Sequence, residues 1–471
     1  MTALLGFLTI AAILGLLLSQ RISAVVALAG VPIITGLLAG FTPGEVGGFI
    51  ADGLSGIVSI TAMFVFAILF FGLMRDAGLF DPVIRRIVRW AGDAPPTVAV
   101  ATTALALVAH LDGAGAVTFL IAVPAMLPIY DRLGMSRLTL TACVGLGAGV
   151  MNVVPWGGPT ARAATTIGVD ANEIWVPLIP AQIAGGVLAL GIAWYLGKRE
   201  ARRLARLSTG APATAGSRAP AVAGSVGGSS AAEPAPTVPA GTSGTDAEES
   251  GAGGDPAVAD LLRPRLLWLN ALLTVAVIAL LIAQVAPPEM IFIVGAVIAL
   301  LVNYPGMAAQ TGRIEAHAKG AMLMASTLLA AGAFLGILAG TGMIEAMAES
   351  AANVVPAGLA PALPLIVGAL GVPMSLLFGP DAYYFGVLPV LIGVGEQFGV
   401  SSMDLARASV LGEETLGFPI SPLTGAFYLL VGLAGVNIGA HIRHLIGWAT
   451  AVSLGMLVVA VITGAIPLWA S

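Results

Sequence analysis

The sequence predicts an all-α polytopic membrane protein made of two inverted repeats, each with about five transmembrane helices plus a re-entrant hairpin, and with broken helices at the midplane. Three observations predict it. Of 471 residues, 58% are hydrophobic and only 10% are charged, against roughly 25% charged in an average soluble domain. Mean hydropathy is +0.98, and apolar runs of spanning length, about 17 to 25 residues, recur along nearly the whole chain, TALLGFLTIAAILGLLLS and LLWLNALLTVAVIALLIAQV among them. Glycine and proline positions of the first half return in the second at an almost constant spacing.

In the first half the runs place spans at 3–20, 22–41 and 56–75, a hairpin at 96–130, and further spans at 138–170 and 174–197. The first run follows MTA without a basic segment and leads into QRISAVV rather than a small-residue cleavage site. It is therefore expected to be a helix and not a cleaved signal peptide. Cys143 stands alone, so there is no disulfide framework, and it reads as a small packing residue.

Residues 207–258 change character: Gly, Ala, Ser and Pro dominate and large apolar residues nearly vanish. Such a segment forms no core. Basic clusters border it, GKREARRLARL before and LLRPRLLW after, and basic residues beside spans mark the cytoplasmic side. The chain thus divides into a first transmembrane repeat at 1–206, a disordered cytoplasmic linker at 207–258 and a second transmembrane repeat at 259–471. Arg21, the interfacial segment DPVIRRIVRW, YDRLGMSR, TGRIEAHAK and GAHIRH then fall on the same side. An odd number of crossings per repeat inverts the second copy and leaves both termini outside.

The internal register rests on named pairs. Gly72 matches Gly336 and Gly78 matches Gly342 at a shift of 264, and Pro124/Pro389, Gly134/Gly399 and Gly147/Gly412 match at 265, with Pro155/Pro419 at 264. Asp112 and Asp381 stand 269 apart, read as a four-residue shortening after the aspartate in the second copy. His110 is matched with Phe378, an apolar residue, and is left outside the core site.

Each half has two places where a helix should break. The hairpin tips are HLDGAGA and FGPDAYYFG; the interrupted spans are MNVVPWGGPTARAATT and GFPISPLTGAFY. Proline removes a backbone donor and glycine tolerates unusual dihedrals, so free N–H and C=O groups result. In a membrane these are tolerated only inside protein or along a wet cavity. Half-helix N-termini favour an anion, carbonyls and carboxylates a cation or proton.

The candidate substrate-binding residues follow: Asp112, Gly113, Thr118, Asn152, Pro155, Thr160 and Arg162 in the first copy, Asp381, Tyr383, Ser421 and Thr424 in the second. Asp112, Asp381, Glu413 and Glu414 are the proton-coupling candidates, because an ionisable group inside a span is costly unless used. The aspartates can also cap helix starts, and the two roles are compatible. Arg162 has two readings, a fork for a substrate carboxylate or a charge at the outer mouth balancing Asp170 or Glu173. One of Glu413 and Glu414 is expected to face a cavity and the other an interface. His441, Arg443 and His444 read as a cytoplasmic anchor. LGAGV and GILAGTG read as close-packing surfaces, since no Lys-Ser/Thr follows to make a phosphate loop.

DGAGAVTFLIAVPAMLPIYDRLGM, NVVPWGGPTARAA and SPLTGAFYLLVGLAGV, in this order across both halves, resemble the citrate-metal:proton symporter family (CitMHS) of the ion transporter superfamily. The resemblance implies secondary active, proton-coupled uptake of citrate, or a similar tricarboxylate, complexed with a divalent metal such as Mg or Ca, by an elevator-like movement in the cell membrane. The metal would enter with the substrate, so no resident cofactor is implied. The partners implied are the tricarboxylate, the divalent metal and the lipid bilayer, without nucleic acid; a homodimer is one expectation for assembly. Related symporters carry Ser-Asn-Thr tips where this chain has Asp-Gly and Pro-Asp, so their sodium sites do not transfer. A cation/proton antiporter or oxyanion exporter of the same superfamily is the alternative. An embedded enzyme is disfavoured: HExxH, GxSxG and paired histidine ligands are missing from the sequence.

Overall fold

The computed structural model describes residues 1–19, 21–209, 260–352, 356 and 358–469. The linker expected at 207–258 lies outside the described residues, save 207–209, which close a helix. Among the described residues all regular secondary structure is helical.

The first half runs α1 (Thr2–Leu18), α2 (Ala24–Leu38), α3 (Pro43–Asp76), α4 (Asp81–Ala91), the hairpin arms α5 (Pro95–Ala109) and α6 (Gly115–Leu133), the broken pair α7 (Arg137–Met151) and α8 (Gly158–Ile167), short α9 (Ala171–Trp175) and α10 (Ile179–Thr209). The second half runs α11 (Leu267–Ala283), α12 (Pro288–Asn303), α13 (Met307–Gly340), α14 (Met343–Ala352), the arms α15 (Leu363–Met374) and α16 (Leu388–Gln397), the broken pair α17 (Ser402–Val410) and α18 (Gly425–Ala434), and α19 (Ile438–Ile462). Apart from α9, the order of the first half returns in the second.

Local chemistry explains why the spacing is kept. Gly78 and Gly342 both have positive φ, 78° and 69°, as do Gly134 and Gly399, 67° and 79°. These are left-handed turns that an L side chain resists. Ser136 caps α7 by accepting the Leu138 N–H at 3.3 Å, and Ser401 caps α17 by accepting from Met403 at 3.2 Å. What repeats is turn and cap geometry more than composition.

The span expected at 56–75 starts at Pro43 instead. Thr42 and Glu45 form a capping box there: the Glu45 carboxylate accepts from the Thr42 N–H at 2.8 Å, and Thr42 Oγ1 accepts from the Glu45 N–H at 3.3 Å. At 34 residues each, α3 and α13 are about 51 Å long, longer than the roughly 30 Å hydrocarbon layer.

These two equivalent helices cross antiparallel through glycine. A Cβ on Gly336 would collide with the Phe49 carbonyl and stand 2.9 Å from Gly53, on Gly340 with the Phe49 ring, and on Gly332 with Ile57. At the other end a Cβ on Gly72 would meet the His317 ring at 2.6 Å. Small residues four apart let backbones approach in this way. Shifting the Gly72–His317 contact by 264 gives Gly336 and Gly53, the contact seen at the opposite end. Beside His317, Asp76 Oδ2 accepts from its Nε2 at 2.8 Å and from Arg313 Nη1 at 3.2 Å.

The register at the hairpins needs correction. A Cβ on Gly147 would meet Ala106 and the Leu107 N–H, and one on Gly412 would meet Gly371 near Val372. The shift of 265 therefore holds up to the tips, where His110 ends α5 and Ser375 ends α15. His110 corresponds to Ser375, not Phe378. The second tip is lengthened before Asp381 and shortened after it, and the shortened side enters α16 through a π-helical turn, Ala382–Val387.

Candidate functional site

The first tip is built from a 3-10 turn, His110–Asp112, followed by Gly113 at φ 73°. A Cβ on Gly113 would stand 2.9 Å from the Trp156 carbonyl oxygen, so the tip lies against the first helix break. Trp156 Nε1 donates to the Leu111 carbonyl at 2.8 Å. Asp112 uses both carboxylate oxygens: Oδ1 accepts the Ala114 N–H at 2.9 Å, and Oδ2 accepts from Arg75 Nη1 at 3.3 Å. An Asx-turn and charge pairing coexist in one side chain, and the helix that follows has Ala114 at its N-cap, without the side-chain cap expected of the aspartate.

The first break, between α7 and α8, reaches into the second repeat. Asn152 Nδ2 donates to the Glu414 carbonyl at 2.7 Å, which turns Oδ1 toward His110 Nε2 at 3.2 Å. Nε2 must then carry the proton, and Nδ1 accepts the Thr118 hydroxyl at 2.8 Å. His110, expected outside the core site, is a fully buried link inside it. Pro155 is buried within the break. Thr160 donates to the Val153 carbonyl at 2.8 Å, satisfying an acceptor that the break leaves without its helical partner.

At the second tip, Asp381 Oδ1 accepts from Arg162 Nε at 2.7 Å, while Arg162 Nη1 donates to the Gly158 carbonyl at 3.1 Å. The ion-pair partner of Arg162 is thus a hairpin aspartate of the other repeat, neither of the mouth carboxylates considered for it. The π-turn redirects its backbone, and Thr166 donates to the Tyr384 carbonyl at 2.8 Å. Tyr383 is brought elsewhere: its buried hydroxyl lies 2.8 Å from Ser409 Oγ.

The second break runs from α17 to α18. Glu414 adopts φ 54°, a left-handed conformation that is uncommon for a non-glycine residue and marks held strain. Ser375 Oγ accepts the Glu414 N–H at 2.9 Å and faces Glu413 Oε2 at 3.0 Å, and Tyr384 donates to the Glu413 carbonyl at 2.9 Å. Both glutamates are buried, at 0% and 2% exposure, so neither lies at an exposed interface. Thr424 donates within the break, to Phe418 or Ser421 carbonyls at 3.2 Å, and Ser421 Oγ accepts the Leu423 N–H at 3.4 Å.

His441 corrects a further expectation. It is fully buried, with Nε2 donating to the Pro419 carbonyl at 2.8 Å and Nδ1 accepting from Thr141 at 2.9 Å. An acceptor-only carbonyl fixes this tautomer. His441 is a strut between the two broken helices and not a cytoplasmic anchor.

Arg75 and Ser375 were not among the expected site residues, and His441 was expected in another role. Arg75 was visible as a lone cation ending an apolar run; Ser375 emerges only from the corrected register. Together, two hairpin tips and two helix breaks meet around two Asp–Arg pairs and two buried glutamates. Arginine already seated opposite a carboxylate has the fork geometry to bind another.

A duplicated helical bundle whose broken helices and hairpin tips converge on buried ionisable groups defines a membrane transporter. Residues 1–412 match the citrate transporter family CitMHS, and the chain belongs to that family. It is 39% identical over 466 residues to the "Citrate transporter" of Bacillus subtilis (strain 168), covering 99% of this chain and 100% of that one. It is 36% identical over 466 residues to the "Mg(2+)/citrate complex secondary transporter" of the same organism, covering 99% of each. The crystal structure of the Alcanivorax borkumensis YdaH transporter shares the fold, with a TM-score of 0.55 at 16% identity over 89% of this chain and 88% of that one. The protein is a multi-pass transporter of the cell membrane and not an enzyme.

Proposed function

We propose that the protein takes up citrate, or a similar tricarboxylate, as a complex with a divalent cation such as Mg or Ca, driven by protons. The observation that carries this reading is the meeting of both tips and both breaks at the Asn152–Glu414 contact, with an arginine opposite each tip aspartate. Arginines supply a partner for substrate carboxylate, and aspartates a partner for the metal of the complex or for a proton. The likeness to the magnesium–citrate transporter supports the complex as the cargo.

In this reading the two repeats lie inverted in the bilayer. The antiparallel crossing of α3 and α13 supports it, because equivalent helices that both span must then run in opposite senses. The 207–258 linker is cytoplasmic, both termini are outside, and hairpins with their broken helices move past a scaffold that includes the α3–α13 crossing.

Proteoliposomes holding the full chain should accumulate citrate only with divalent metal present and an inward proton gradient. Metal-independent uptake overturns the central claim. Sodium-dependent proton movement without citrate uptake favours the antiporter alternative. Tags at the two ends should be reachable from outside; access from the cytoplasm alone overturns the topology.

A further inference from the structure

We propose that the coupling proton is carried by Glu413, with the Ser375 hydroxyl as the partner that accommodates both forms of its carboxyl group; this rests on the proton-coupled reading above. Of the four carboxylates considered for that role, Asp112 and Asp381 each already face an arginine. Glu413 and Glu414 do not have such a pair, and Oε1 of each is buried without a hydrogen-bond partner. An ionised carboxylate is acceptor-only and needs donors when buried. Two adjacent buried carboxylates also oppose ionising together.

Ser375 gives Glu413 Oε2 a hydrogen-bond partner in both protonation states. Its Oγ lies 3.0 Å from Glu413 Oε2 and 3.2 Å from the Gly371 carbonyl, and it accepts the Glu414 N–H at 2.9 Å. The hydroxyl has one hydrogen and two lone pairs. With Glu413 ionised, Ser375 donates to Oε2. With the proton on Oε2, Glu413 donates to Ser375 Oγ, and the serine hydrogen turns to the Gly371 carbonyl. Every hydrogen is placed in both arrangements, and the Glu414 N–H keeps its acceptor. Loading the proton therefore moves a hydrogen bond at the junction of α15 with the strained break, without leaving a new unsatisfied group.

The surrounding charged and titratable groups are Glu414 on the same segment, Arg162 and Asp381 beyond it, Tyr383 and Tyr384 on the π-turn, and His110 behind Asn152. The two phenols are engaged with Ser409 and the Glu413 carbonyl, and His110 is held neutral in geometry by Asn152 and Thr118.

The test uses the full chain in proteoliposomes with magnesium citrate. Two modes are compared: accumulation driven by an inward proton gradient, and exchange of labelled for unlabelled citrate at equal pH, which needs no net proton movement. Glu413→Gln should keep exchange and lose gradient-driven accumulation. Accumulation at the parental level by E413Q overturns the assignment while leaving the symport reading intact. A parent that accumulates without a proton gradient overturns the symport reading and this assignment with it. If E413Q shows neither mode, Ser375→Ala decides. Loss of a hydrogen bond that is stronger to the ionised form should move the pH profile of accumulation upward by about one unit, with exchange retained. An unshifted profile overturns the proposal.

Discussion

Arg162 and Asp381 join the two repeats at 2.7 Å, Nε to Oδ1, with side-chain exposures of 12% and 22%. One residue follows the break of the first repeat; the other opens the second arm of the hairpin in the second repeat. Breaking a buried pair from one side leaves a stranded charge, at about 3–5 kcal/mol when burial is complete. Partial exposure lowers this. Arg162→Gln should destabilise by about 1–3 kcal/mol, and adding Asp381→Asn should recover part of that loss in thermal unfolding in detergent. Simply additive losses would show that the pair is not coupled.

Asp112 separates its two roles by substitution. Asparagine keeps an oxygen for the Ala114 N–H but removes the charge facing Arg75. Asp112→Asn should fold like the parent and lower magnesium–citrate uptake by about tenfold or more, whereas Asp112→Ala should also lose stability. Uptake at the parental rate in D112N would reduce Asp112 to a turn former.

Removing His441 strands the Pro419 carbonyl, whereas the Thr141 hydroxyl keeps the Leu138 carbonyl at 3.1 Å. His441→Leu should therefore cost about 1–3 kcal/mol. A surface anchor would tolerate the change within about 0.5 kcal/mol, and a loss that small would contradict the strut.

At the α3–α13 crossing, Gly53→Val should abolish folding, because even a Cβ there collides with the Gly332 carbonyl. Gly56, where a Cβ meets nothing within 4 Å, is the control. Size-exclusion profiles of the two variants should differ sharply; matching monodisperse peaks would show that the helices can part.

Burial, followed by the nearby Glu289 and Glu173 carboxylates, holds the Asp170 carboxyl above its ordinary range. Its ionised form is therefore the disfavoured one in the folded protein: the favourable contribution is complete below the unfolded-state value and is lost as pH rises through the raised folded value. Asp170→Asn should melt above the parent at neutral pH, and the two curves should converge as pH falls. A gap that widens toward acid would reverse the sign.

Much of the scaffold was legible because membrane burial writes itself in composition: spans, hairpins and breaks fall near their expected places. Duplicated glycines such as Gly134 and Gly399 were legible because a positive φ excludes other residues. Helix overshoot was not, since the Thr42–Glu45 box starts α3 ahead of a stretch that hydropathy alone leaves out of the span. The contacts between repeats were not legible either. Arg162 finds Asp381, and Asn152 finds Glu414, across hundreds of residues, and no spacing rule reports such a meeting. Aligning tips on their aspartates hid Ser375, because the acidic residue had moved within the turn while the helix end had not.

The α3–α13 joint has like-for-like geometry at both ends but unlike chemistry. Where Gly53 meets Gly336 the contact is of backbone on backbone; where Gly72 meets His317 it is bordered by Asp76 and Arg313. One end is a weld and the other a clasp. A joint made from two similar halves thereby answers to salt at one end and not at the other.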